Sequence, residues 1–281
     1  MGQPLVSWRR GEEPGTLDLL DDGVELMTRS WSAVGVLWVL ALPARAALAL
    51  LLALAVKLGE LSELAGPTFL PRSYLVLVLG IATVHGRLVL LQAYRRARTG
   101  PAPARWSSLR VPPGDLARGL LATLMVFLLL CMISPTLVLP PFLLPALGLA
   151  SVVAAGAGPG WRHAIPATFA GYARPGRLAA VHGLLLLGWL VATLNLHLLV
   201  TLGAGAAVQL FSVDPAGWVA RLSFRNPDYV ALLLAGSSLC IEPLWLAVLA
   251  VHRDALRARS SGEDLRWWFE ELRRQERREA A

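Results

Sequence analysis

The chain has 281 residues, 56% of them hydrophobic and only 16% charged, with a formal net charge of +7. Soluble domains are nearer 45–50% apolar and about a quarter charged, and here the excess sits in runs of about twenty residues, the length that crosses a hydrocarbon core about 30 Å thick. That combination excludes an ordinary soluble domain. It also removes nucleic acid as the natural reading of the basic balance, because arginine excess in a membrane chain marks loops kept in the cytoplasm.

Residues 1–31 read as a cytoplasmic amphipathic segment. Leu17, Leu20, Val24, Met27 and Trp31 recur every three or four residues, which places them on one helix face with acids on the other. Glu12, Glu13, Asp18, Asp21, Asp22 and Glu25 crowd the stretch where a cleavable signal peptide would be basic and then apolar. The first span is therefore expected to act as its own uncleaved insertion signal.

Residues 32–252 read as a six-span membrane domain. The spans are drawn at 32–56, 74–94, 116–137, 141–157, 178–202 and 229–252. Only Pro135, Pro140 and Pro141 divide the third from the fourth, so residues 135–157 fit either a full span or a re-entrant hairpin. Trp161, Ile165 and Phe169 hint at a short interfacial helix before the fifth span. Asp214-Pro215 and Asn226-Pro227-Asp228 each read as a helix cap followed by proline at the first helical position.

Residues 253–281 form a basic amphipathic tail. Ser261 could cap it, with Asp264 three residues on. Leu265, Trp268, Phe269 and Leu272 make its apolar stripe. Such a helix lies on anionic headgroups or packs on the protein's own inner loops or a partner. With the N-terminus inside, twenty Arg residues fall on the inner side and four Arg or Lys on the outer. Both termini are thus expected in the cytoplasm. Lys57 is the only lysine, a bias that reads as a GC-rich, bacterial genome.

Polar residues inside the spans are the candidate functional groups. Arg45, His85, Arg87 and Glu242 fall at overlapping depths near mid-membrane; Asn195 and His197 lie farther out. A charged side chain at the centre of a lone helix costs about 2.5–3.5 kcal/mol on insertion scales, so such groups turn inward and pair. Glu242 is expected to meet Arg45, Arg87 or both. The alternatives are an ion pair that only selects helix partners and an Arg87 that snorkels to the inner interface. Pro43 and Pro243 are expected kinks, and Pro243 deprives the Leu239 carbonyl of its helical partner. Ser237, Ser238, water or an arginine could supply another.

Other groups carry weaker signals. Cys131 and Cys240 read as small buried apolar residues, and Gly148, Ser151, Ala155, Gly203 and Ala207 as sites of close helix approach. His163 and His252 stand at loop edges, where solvation or a headgroup is the expected surrounding. No Walker loop, dinucleotide fingerprint, metal-ligand spacing or nucleophile elbow is present. No catalytic residue, metal or cofactor is therefore expected.

The stretch Leu256-Arg-Ala-Arg-Ser-Ser-Gly-Glu-Asp-Leu265 resembles the Leu-Arg-x-Arg-x-Glu-Gly-x-Asp-Leu ending of a bacterial family. That family comprises six-span membrane domains attached to some glycerophosphodiester phosphodiesterases, with stand-alone relatives of unknown function. Leu256, Arg257, Arg259, Gly262, Asp264 and Leu265 match, while Ser261 replaces the usual acid and Glu263 the usual apolar residue. Residues 15–31 and 161–172 resemble the family's opening amphipathic helix and its cytoplasmic helix between the fourth and fifth spans. The resemblance implies an inner-membrane protein whose basic cytoplasmic face docks a partner. It does not carry hydrolysis, because the soluble catalytic barrel needs about 200 residues or more.

These readings converge on an all-α integral membrane bundle of about six transmembrane helices with interfacial helices. The leading expectation is a non-enzymatic scaffold or accessory subunit whose cytoplasmic face meets anionic lipid or a protein partner. The alternative is a small transporter or channel built on Arg45, Arg87 and Glu242.

Overall fold

The computed structural model describes residues 15–31, 35–36, 39, 43, 47, 69–99, 110–133, 145, 148–153, 167–211, 221–262, 269, 273 and 276. Among these residues the fold is all-helical, without a strand. The long elements are α1 (Thr16–Arg29), α2 (Phe69–Thr99), α3 (Pro113–Ile133), α4 (Pro175–Phe211) and α5 (Pro227–Ser261). Two of them, α4 and α5, are long and apolar enough to cross a membrane among the described residues. Helices α2 and α3 form over the second and third predicted spans. Most of the first span and the division between the third and fourth lie outside the described residues.

Helix boundaries follow local chemistry. Gly15 precedes α1, and its amide donates to Asp18 Oδ2 at 2.7 Å, placing an acid on the first-turn N–H groups. Pro175 and Pro227 open α4 and α5 at the position where a missing N–H costs nothing. The Asn226 cap is realised: its side-chain oxygen accepts the Asp228 amide at 3.1 Å. The corresponding Asp214-Pro215 pair lies outside the described residues.

Helix α5 continues nine residues past the predicted end of the sixth span. It stops at Gly262, whose φ of 70° is the left-handed conformation that ends helices and suits glycine. Ser261 is therefore helical, and its hydroxyl donates back to the Ala258 carbonyl at 3.1 Å. It does not occupy the capping position expected at the start of the tail.

The chain divides into two compact units. The first comprises residues 1–35, 87–184 and 243–281, and it holds the C-terminal half of α5. Leu246, Ala247, Val248, Leu249 and Val251 are each 0% exposed there. A helix apolar and covered on every side is a core helix. Two glycines let neighbours approach it. A Cβ on Gly23 of α1 would collide with the Val248 side chain and sit 3.2 Å from its backbone. A Cβ on Gly148 would strike Leu249 and lie 2.7 Å from the Trp245 ring.

This packing changes the reading of α1. The residues it buries are Leu19, Asp22, Gly23 and Leu26, while Leu17, Val24 and Trp31 of the predicted apolar stripe are exposed. The small Gly23, rather than a large apolar side chain, sets the close approach of α1 to α5. Of the other small residues, Ser151 is 1% exposed, whereas Gly203 has open space around it.

The second unit comprises residues 36–86 and 185–242. Within it α4 and α5 run antiparallel. Trp189 Nε1 donates to Ser238 Oγ at 3.1 Å, a Cβ on Gly236 would lie 2.8 Å from Leu196, and His197 meets Tyr229. Cys240, expected to be buried, is a free thiol on the exposed side of α5.

Candidate functional site

The first unit holds a polar chain at the level of Trp245, assembled from α2, α4 and α5. The guanidinium carbon of Arg87 lies 5.6 Å from the Trp245 ring centroid, a cation–π distance. The indole Nε1–H of Trp245 donates to His182 Nε2 at 3.0 Å. Because that nitrogen accepts, the proton of a neutral His182 sits on Nδ1, which is 2.8 Å from the Leu178 carbonyl. Both ring nitrogens are satisfied in one tautomer. The buried Tyr94 hydroxyl of α2 donates to the Pro243 carbonyl of α5, two residues before Trp245, at 2.9 Å.

The C-terminal part of α5 in the same unit is tied by two further bonds. His252 is only 2% exposed, and its Nε2 lies 3.0 Å from the Gly171 carbonyl. It is a buried hydrogen-bonding group, contrary to the solvated or headgroup role expected at a loop edge. Arg253 donates to the Val152 carbonyl at 2.7 Å. The charge of Arg177 bears on His252, and those of Arg95 and Arg257 bear on Arg253.

The predicted cluster is placed as follows. Arg87 contributes to the chain around Trp245. Glu242 is 6% exposed on α5, immediately before Pro243. His85 is half-buried on α2, and Pro43 is helical and exposed. Arg45 lies outside the described residues, as do Leu265, Trp268 and Leu272 of the tail stripe; Phe269 is helical and exposed. Pro243 sits within an uninterrupted α5. Ser237 and Ser238 both donate to the Leu234 carbonyl, at 3.1 and 2.7 Å, rather than to that of Leu239.

His182, Tyr94 and Trp245 were not among the groups singled out by sequence. His182 could have been, since an ionisable side chain inside a span is rare and turned inward. Trp245 and Tyr94 look like ordinary apolar bulk until their polar tips find partners.

In the second unit, His197 Nδ1 and the Tyr229 hydroxyl are 2.6 Å apart, and the Phe224 ring, tilted by 45°, has its centroid 4.4 Å from that of the imidazole. Among the described residues no group of three or more His, Cys, Asp or Glu side chains could hold a metal ion. Comparison with protein-family models, curated proteins and solved structures finds no match for this chain.

Proposed function

We propose that this protein is a six-span inner-membrane bundle with both termini cytoplasmic, serving as a non-enzymatic scaffold or accessory subunit. Its basic cytoplasmic face docks anionic lipid or a protein partner. One observation carries this reading: the polar groups around Trp245 are spent on one another. His182 has both nitrogens bonded, the Trp245 indole has its acceptor, and Tyr94 has Pro243. Such groups lock helices together, and neither His182 nor Tyr94 is left poised as a base or nucleophile. The twenty inner arginines and the resemblance of residues 256–265 to the phosphodiesterase-linked membrane domains support the same placement.

The test is removal of residues 260–281 from the full chain, followed by affinity capture from membranes. A scaffold loses a specific co-purifying partner or its affinity for anionic bilayers; retention of both defeats the reading. A reporter fused after Ala281 that is active only outside the cytoplasm would overturn the orientation.

The buried Glu242 favours one competing reading, a small transporter or channel using an Arg/Glu cluster. Cysteine scanning along α5 separates the two. Labelling of successive turns by a water-soluble thiol reagent up to Glu242 would favour transport, and uniform protection the scaffold.

A further inference from the structure

The residues of α1 are sorted around its axis into three sectors rather than two. At about 100° per residue, Leu19, Asp22, Gly23 and Leu26 share one sector, and these are the residues that α1 buries. Gly23 seats that sector against Val248. The rest of the circumference is not mixed. Leu17, Leu20, Val24 and Met27 fall together within about 80°, and Leu17 and Val24 are 67% and 43% exposed. Asp18, Asp21, Glu25, Thr28 and Arg29 fall together in the remaining sector.

The polar sector suits water. Asp21, Thr28 and Arg29 are exposed, Arg29 pairs with Glu25, and Asp18 accepts the Gly15 amide. The apolar sector has no hydrogen-bonding side chain with which to fix the register of a protein partner, so it fits a fluid apolar medium. Four acids against one arginine also make α1 negative, which disfavours anionic headgroups. Attraction to a bilayer must then come from the apolar sector alone.

Trp31, 53% exposed, extends that sector beyond the turn at Ser30. Its ring lies toward the next turn of chain: a Cβ on Gly35 would be 3.7 Å from the indole Nε1. The first apolar run begins at residue 32. The ring thus stands where α1 gives way to a segment read as spanning, and tryptophan collects at that level of a membrane.

We infer that α1 lies along the inner leaflet in the angle between protein and lipid. Its Gly23 sector rests on α5, its Leu17 and Val24 sector enters the acyl-chain boundary, and its acids remain in water, with Trp31 at headgroup level. The partner is the uncharged lipid boundary rather than an anionic headgroup. This deepens the membrane placement proposed above and rests on it.

The test uses the full-length chain carrying Cys131→Ser and Cys240→Ser. Leu17→Cys, Asp21→Cys, Val24→Cys and Glu25→Cys are introduced singly, spin-labelled and reconstituted into phosphatidylcholine bilayers. Collision of each label with oxygen, which concentrates in lipid, is compared with collision with a water-soluble nickel chelate. Labels at residues 17 and 24 should lie about 5–10 Å below the headgroups, and those at 21 and 25 in water. Adding phosphatidylglycerol should not deepen any of them.

Equal access of the chelate at all four positions would overturn the inference. So would protection of residues 17 and 24 from both reagents, the sign of a protein surface such as a second copy, or insertion that needs phosphatidylglycerol. A label at Leu194→Cys, a position 54% exposed on α4, separates this inference from the reading beneath it. If that label lies deep in the bilayer while residues 17 and 24 stay in water, only the placement of α1 fails. If the chelate reaches residue 194 as well, the spanning bundle fails.

Discussion

Helices α4 and α5 are both long and apolar enough to span a membrane, yet they meet opposite surroundings. Only 11% of the most apolar window of α4 is buried, against 50% for α5. Along α4, Leu186, Leu187, Leu194, Leu199 and Leu202 are all exposed; along the C-terminal half of α5, from Leu246 to Val251, almost nothing is. Composition does not distinguish them. What differs is the set of contacts: glycines and polar tips converge on α5, while α4 offers a smooth leucine face. In lipid a leucine gains little by leaving one apolar medium for another, so helices associate through close packing and hydrogen bonds.

That contrast can be broken by equal substitutions on the two helices. Leu249→Ala, at a position 0% exposed, should cost about 2–5 kcal/mol, because the cavity left in a packed core cannot fully collapse. Leu199→Ala, 69% exposed, should stay within about 0.5 kcal/mol. Thermal melting of the detergent-solubilised chain reads both. Comparable losses at the two positions would mean that α4 is covered by another surface in the functional assembly.

A smaller effect sharpens the role of close approach. Gly23→Ala places a methyl group against the Val248 backbone at 3.2 Å, and overpacking of this kind costs about 1–3 kcal/mol. Gly203→Ala, with open space around it, should be neutral or slightly stabilising, since alanine favours helix. Protease sensitivity of residues 1–31 reports the first outcome directly, because an undocked α1 becomes accessible. If Gly23→Ala leaves both melting and protection unchanged, α1 does not depend on that contact.

How far the sequence could foresee this arrangement depends on the kind of signal. Long apolar runs are written along the chain, so α4 and α5 could be placed from them, with Pro227 marking the start of α5, whereas the start of α4 at Pro175 lies three residues before the predicted span. Which side of a helix packs inward is not written there where a glycine, rather than a large apolar side chain, makes the contact. On α1 the large side chains Leu17, Val24 and Trp31 suggested the face, but Gly23 decides where α1 meets α5. The site was legible only in part. Arg87 and Glu242 stand out as charges in a span, whereas one contact that Arg87 makes, with an aromatic ring, is seen only after folding. His252 was misjudged for a related reason: its place at the end of an apolar run concealed a carbonyl arriving from Gly171, far away in sequence.

The polar chain at Trp245 offers the next test of what holds α5 at the centre. Trp245→Phe keeps an aromatic face for Arg87 but removes the indole N–H, leaving His182 Nε2 without its donor. An unsatisfied buried acceptor costs about 1–3 kcal/mol, so the melting temperature should fall. Pairing the change with His182→Phe removes both polar partners. The double variant should then be more stable than the sum of the single losses. Strict additivity would mean that the two rings contribute independently.

The smallest expected effect lies at the opposite end of α5, where the helix begins rather than where it is enclosed. Asn226 accepts the Asp228 amide at 3.1 Å and donates to the Arg221 carbonyl at 2.9 Å, so one side chain both caps α5 and closes the preceding turn. Asn226→Ala removes both bonds and should cost about 1 kcal/mol, typical of a lost cap. Asn226→Asp keeps the acceptor and adds a negative charge beside the helix start, while losing the bond to Arg221. It should recover most of the loss, because the helix dipole favours an anion there. The loss should be confined to the second unit. Hydrogen exchange would rise at residues 227–233 and stay slow at 245–252, since the C-terminal half of α5 is held by its burial and by His182, His252 and Arg253 rather than by its first turn. Equal acceleration at both ends would show that α5 opens as one body, making the helix rather than the packed unit the element that unfolds.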